Sequence, residues 1–114
     1  MTTGMKSNRF LEYRPFIQLE TAADIEEVFN YWVSTFSSES SKGTRAKLTE
    51  ERKAHIAWAI HMFGVSDCKH AIDGCSNSEW HMGGNPGEKI YNQITLIFRD
   101  IEKISRFIRI GKNL

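Results

Sequence analysis

Cys68, His70, Cys75 and His81 are the residues whose types most readily suggest chemistry, four metal-ligating or nucleophilic side chains within fourteen positions. Their pattern, C-x-H-x4-C-x5-H, lacks the paired C-x2-C or H-x3-H spacing with which a structural zinc site closes around its ion. If Ser66 to Gly74 is helical, Cys68 and His70 also point about 200° apart, at about 100° of turn per residue. A cysteine nucleophile needs its thiolate held in an electropositive pocket with an orienting third group. Cys75 and His81 have no oxyanion hole or active-site signature beside them. The glycines of Met82-Gly83-Gly84-Asn85-Pro86-Gly87 have no Lys-Ser/Thr after them and no strand before them, so they do not read as a nucleotide phosphate loop. The expectation is no catalytic residue, no metal and no cofactor.

Binding chemistry is better represented. Arg99, Lys103, Arg106 and Arg109 recur at i+4, i+3 and i+3, along one helix face opposite the isoleucines. With Lys112 they make a basic ridge that can follow a phosphate backbone. The same cations also suit a solvated face that complements the negative end of a helix, and spacing alone does not choose between the two. Arg45, Lys47, Arg52 and Lys53 form a second, less regular cluster. Trp80 and His81, beside glycines, can stack on unpaired bases, although an indole is also a common core residue.

The elements that position these residues read as helices. Thr21 is placed to cap a helix with Asp24 in its first turn, and Ile25, Val28, Phe29, Trp32, Val33 and Phe36 follow at helical spacing to an end near Ser37. Trp32, on that stripe, belongs to the core. Ser37 to Arg45 is polar and reads as an exposed loop. Thr49 caps a second helix, with Glu50 and Glu51 at its positive end, Ile56, Ala59, Ile60 and Phe63 on its buried face, and Gly64 as its stop. Ser66-Asp67 opens a short third helix through Ala71 and Ile72 to Gly74.

Cys75 to Gly87 is irregular, with three of the eight glycines of the chain and one of its two prolines. Asn85-Pro86-Gly87-Glu88 offers a cap, a proline at the first helical position and an acid in the first turn. Ile90, Ile94, Ile97, Phe98 and Ile101 continue at helical spacing. The Ile94 to Phe98 run is also rich enough in β-branched residues for a buried strand, but one strand would have no partners, so helix is expected. Asp100 can re-cap a last segment with Ile101, Ile104, Phe107 and Ile108 facing inward. The predicted fold is all-α, a small bundle of about four to five short helices with a glycine-rich loop before the last ones. Residues 1–20 read as a partly mobile arm on which Tyr13, Phe16, Ile17 and Leu19 can dock, and 21–110 as one helical domain.

Composition agrees with a single globular unit: 114 residues, 40% hydrophobic, 25% charged, formal net charge +1. Five acidic and no basic residues lie between Glu20 and Glu39, whereas Ser40 to Trp58 and Arg99 to Leu114 each hold five basic and two acidic. Such segregation can give a positive face for phosphate and a negative face for a protein, or arise by chance on short helices. Two cysteines do not make a disulfide framework, and no segment approaches the roughly 20 apolar residues that span a bilayer. The chain reads as cytoplasmic, with reduced thiols and no membrane partner.

The order of features from Val28 to Phe107 resembles the C-terminal module of phage and prophage DNA replication proteins, where it often follows a winged-helix domain. The matching elements are Val28-Phe29-x2-Trp32, Lys47-Leu48-Thr49-x2-Arg52-x3-Ile56, Ala71-Ile72-x-Gly74-x3-Ser78-x2-His81-Met82-Gly83, Asn85, Tyr91, and Leu96-Ile97-Phe98-Arg99-Asp100-Ile101-Glu102-x-Ile104. The resemblance implies action within a replication-initiation complex in a bacterial host, through single-stranded DNA, the replicative helicase or its loader. Only a short stretch precedes the matching elements here, so the expectation is an accessory factor rather than an origin-recognising initiator. Arg52, Trp80, His81, Asn85, Arg99, Lys103, Arg106 and Arg109 are the expected binding residues. In the alternative, a protein-interaction module recruits or inhibits the helicase or its loader without contacting DNA, and the acidic first helix (Asp24, Glu26, Glu27) is the sensitive surface.

Overall fold

Thr21 and Thr49 each do at a helix N-terminus what their spacing predicts, and the fold follows from where those helices lead. A computed structural model describes residues 8–36 and 47–114 of the chain. The expected loop Ser37 to Arg45, the cation of Arg45 and the first seven residues of the arm lie outside the described residues. The elements are α1 (Asn8–Tyr13), a 3-10 turn (Arg14–Gln18), α2 (Ala22–Thr35), α3 (Glu50–Phe63), α4 (Val65–Ser76), α5 (Ile94–Ile97) and α6 (Ile101–Lys112). The architecture is all-α, and among the described residues no helix is long and apolar enough to cross a membrane.

In α2 the Thr21 hydroxyl accepts from the Asp24 N–H at 3.1 Å, and Ile25, Val28, Trp32 and Phe36 are buried as the stripe requires. The Thr49 hydroxyl does the same for Arg52 at 3.2 Å, satisfying one of the orphan donors of α3. Gly64 ends α3 at φ 91°, a backbone angle that side chains disfavour.

Helix α3 is more central than its one-sided pattern predicts. Every residue from Ala54 to Ile60 is buried, because α1 and the 3-10 turn cover the side that the apolar stripe leaves out. Tyr13 is buried in that cover: its ring stacks on Trp58 at 4.3 Å between centroids, and its hydroxyl donates to the Arg99 carbonyl at 2.7 Å. Phe16 and Ile17 also pack on the core, whereas Leu19 is 64% exposed.

Among the described residues His55 is the one polar or charged residue that is buried, 2% exposed. Its Nδ1–H donates to the Phe98 carbonyl at 2.8 Å, which leaves Nε2 buried with no partner. Burial lowers its pKa from the ordinary 6.5, against the opposing pull of the Phe98 hydrogen bond and Glu51, with Arg9 adding to the depression. The unfolded chain therefore binds a proton at His55 before the folded one does. Stability is expected to fall as pH drops below 6.5, and to stop falling at the lower folded pKa. Urea midpoints between pH 7.5 and 5 measure the slope, which should be shallower in His55→Gln than in the wild type.

Three expected helix limits are corrected. Helix α4 begins at Val65 rather than Ser66 and runs through Gly74 to Ser76. Gly74 is not a stop but a contact point: a Cβ there would lie 1.9 Å from the Phe107 carbonyl oxygen, and one on Gly111 would lie 1.9 Å from that of His70. The two glycines let α4 and α6 cross antiparallel with their backbones touching. The Asn85-Pro86-Gly87-Glu88 segment starts no helix, since Glu88 takes a positive φ of 53° and Ile90 instead forms an isolated antiparallel bridge with Met82.

The Ile94 to Ile97 run is helical as expected, with Ile94, Ile97 and Phe98 fully buried. Asp100 caps α6 by accepting from the Lys103 N–H at 2.8 Å, and that bond is the main reason its carboxyl titrates below the usual range. Ile104, Phe107 and Ile108 face inward, but Ile101 is 52% exposed. The crossing sets Gly74 against Phe107 and α4 ends two residues later, so Ile101 lies about a turn beyond what α4 can cover.

Candidate functional site

The Asn85 side chain organises the irregular segment after α4. Its Nδ2 donates to the Trp80 and Lys89 carbonyls, both at 2.7 Å, while Oδ1 accepts from the Gly87 and Lys89 N–H groups at 3.1 Å. Its polar capacity is thus spent on the loop, which corrects its expected place among ligand-contacting residues: Asn85 shapes the site. The Tyr91 N–H donates to the His81 carbonyl at 2.7 Å and closes the two sides of the loop on each other.

This closure builds an aromatic stack. The Trp80 ring lies 5.3 Å from that of Tyr91 at an interplanar angle of 15°, and meets His81 edge-on at 5.1 Å. His81 in turn meets the Phe107 ring of α6 edge-on at 4.8 Å. Trp80 is 52% exposed, so the packed-indole reading gives way to a half-open one. Tyr91 was part of the motif pattern but not of the expected site; its pairing with Trp80 spans the loop and leaves no local spacing signal.

The contact with Phe107 brings α6 cations to the stack. Positions 103, 106 and 107 are neighbours on the helix surface, and both Lys103 and Arg106 act on His81. Burial is the largest cause of its lowered pKa, followed by Lys103 and then Arg106. Among the described residues, the side chains of Lys103, Arg106 and Arg109 make no ion pair or hydrogen bond, whereas Arg9, Lys53, Lys69, Arg99 and Lys112 each meet a carboxylate. Arg106 and Arg109 point away from the buried face of α6, as the basic ridge requires.

Two expected members stand apart. Arg99 precedes the Asp100 cap, so it is not on the helix face that its spacing suggested. It pairs with Asp100 at 3.4 Å at the Tyr13 end of the molecule. Arg52 lies over the Trp32 ring at 5.2 Å and donates to the Lys47 carbonyl. Trp32 in turn donates its indole N–H to the Asn92 carbonyl of the loop at 2.8 Å.

Cys68 and Cys75 are buried, and burial raises both thiols, Cys75 to about 12 although Lys103 pulls it down. Neither thiol is a ready nucleophile at neutral pH. Among the described residues no group of three or more His, Cys, Asp or Glu side chains is gathered as around a metal ion. Compared with known proteins, the chain matches no family model, no curated protein and no solved structure.

Proposed function

We propose that the protein is a phage or mobile-element replication accessory factor that binds single-stranded DNA at the Trp80–Tyr91 stack and through it joins a replication-initiation complex. The observation that carries the binding mode is a half-exposed indole, backed by a second ring and next to His81, on which Lys103 and Arg106 act; among the described residues neither cation has an ion pair or a side-chain hydrogen bond. An unpaired base can stack on the open face of Trp80 in any sequence context, because every base has a π-face. Phosphates on either side then meet Lys103, Arg106 and Arg109. The link to replication rests on the motif resemblance, with the replicative helicase or its loader as the protein partner.

Neutralising these cations releases counterions, so affinity should depend on salt. For three phosphate contacts on a single strand, log K against log salt is expected to have a slope of about −2. Fluorescence anisotropy of a labelled oligothymidylate from 25 to 200 mM salt measures it. The double substitution Arg106→Glu/Arg109→Glu should flatten the slope, and a salt-independent signal would defeat the DNA reading.

A second reading, a module that recruits or inhibits the helicase or its loader without touching DNA, draws on the same indole. Ile90 beside the loop is also about half exposed, and a tryptophan with an apolar neighbour is a common anchor between proteins. The acidic face of α2 is less open than its sequence suggests, because Lys69 holds Glu27 at 2.6 Å. Pull-down of purified helicase by the wild type that is lost in Trp80→Ala or in charge-reversed α2, with no oligonucleotide binding by the wild type, would favour this reading.

A further inference from the structure

We propose that His81, Lys103 and Arg106 form a phosphate site at the edge of the aromatic stack, and that the His81 ring takes up one proton from solvent as the phosphate binds. The site is the phosphate contact of the platform above. It rests on that reading for the polymer but not for the anion.

The ring of His81 is held in one orientation with one nitrogen to spare. Nδ1 lies 2.7 Å from the Ser78 hydroxyl, and the backbone N–H of His81 also points at that oxygen, at 3.4 Å. A hydroxyl that accepts the backbone N–H is free to donate its own proton to Nδ1, so the proton of the neutral ring sits on Nε2. Among the described residues Nε2 has no hydrogen-bond partner, and it is not one of the orphan atoms fully cut off from solvent. An unpartnered N–H donor thus stands beside two cations, which is the donor set that a phosphate takes.

The groups facing the ring are Ser78 and Trp80 from its own loop, Tyr91 through the Trp80 stack, and Lys103, Arg106 and Phe107 from α6. No carboxylate is among them. Two uncompensated cations beside a titratable ring are an unusual arrangement for stability alone, because each disfavours protonation of the ring and neither gains a partner. A phosphate supplies the missing anion. It accepts from Nε2–H, neutralises the repulsion, and lets a proton add at Nδ1. The Ser78 hydroxyl then turns from donor to acceptor, and its own hydrogen turns to solvent.

The test uses two probes on the whole chain. In NMR pH titrations, inorganic phosphate at constant ionic strength should raise the pKa of His81 and leave that of His55 where it is. Oligothymidylate should bind about three- to tenfold more tightly at pH 6 than at pH 7, within the limit of about tenfold per pH unit for one proton. The dependence should vanish in His81→Gln, which keeps a donor but cannot titrate. An unmoved His81 with pH-independent oligonucleotide binding overturns the phosphate site and leaves the DNA reading standing. A His81 shifted by phosphate without oligonucleotide binding at any pH supports the site and overturns the DNA reading. If neither probe acts, both fall.

Discussion

Alanine at Gly74 is expected to destabilise the fold by about 3 kcal/mol or more, although alanine is otherwise the better helix former by about 1 kcal/mol. The sign reverses because the added carbon has nowhere to go. It would sit 1.9 Å from the Phe107 oxygen, 2.7 Å from the Phe107 carbonyl carbon and 3.1 Å from the Gly111 nitrogen. All three are backbone atoms, so no side chain can rotate away and relief requires α4 and α6 to separate. Separation loosens Ala71, Ile72 and Cys75 from Ile104, Phe107 and Ile108, and so weakens much of the core. Thermal unfolding should show a drop of roughly 12 °C or more, taking about 4–8 °C per kcal/mol for a domain of this size. Gly111→Ala should cost a similar amount through the His70 carbonyl. The two substitutions together should cost less than their sum, since both break one contact. Gly87→Ala is the matched control: its Cβ would meet nothing closer than 3.6 Å. A Gly74→Ala protein as stable as the control would refute the close crossing.

The second large effect is on binding. Trp80→Ala should reduce oligothymidylate affinity about 5- to 150-fold, the range set by about 1–3 kcal/mol for each base stacked on an aromatic ring. Stability should change little by comparison, because half of the indole is already in solvent. Trp80→Phe keeps a smaller π-face and should fall between the two. Tyr91→Ala should also weaken binding, by removing the ring that holds Trp80 in place at 5.3 Å. Unchanged affinity in Trp80→Ala, with intact secondary structure by circular dichroism, would remove the stack from the proposed site.

The helices were legible wherever local chemistry decides. Thr21, Thr49 and Asp100 are caps by residue type, and the stripe from Ile25 to Phe36 declares one buried face. What was not legible depends on a distant partner. Nothing near Ala54 to Ile60 announces that Tyr13 will cover the other side of α3. Gly74 looks like a stop because its reason for being glycine lies on α6. Asn85 has the composition of a cap but bonds its own loop.

The site was half legible for the same reason. Trp80, His81, Lys103 and Arg106 stood out by type, and the His81–Phe107 contact brings them together. The spacing puts Arg99 on the same face only if one helix runs through it. The helix starts only after Asp100, and that single cap sends Arg99 elsewhere. Tyr91 and Ser78, which orient Trp80 and His81, are ordinary residues until the loop closes.

The antiparallel crossing of α4 and α6 also divides the chain by task. The backbone leaves the locked pair at Ser76 and returns to the core at Ile94, so that both ends of the intervening segment are anchored independently of what it contains. Residues 77–93 carry the whole aromatic stack, yet contribute no residue to the fully buried core. The bundle and the loop thus differ in burial, and they meet where His81 contacts Phe107, Met82 packs on the core and Trp32 donates to the Asn92 carbonyl. A different sequence between these two anchors should therefore alter the proposed binding more than the bundle, with Lys103 and Arg106 still supplying positive charge beside the loop.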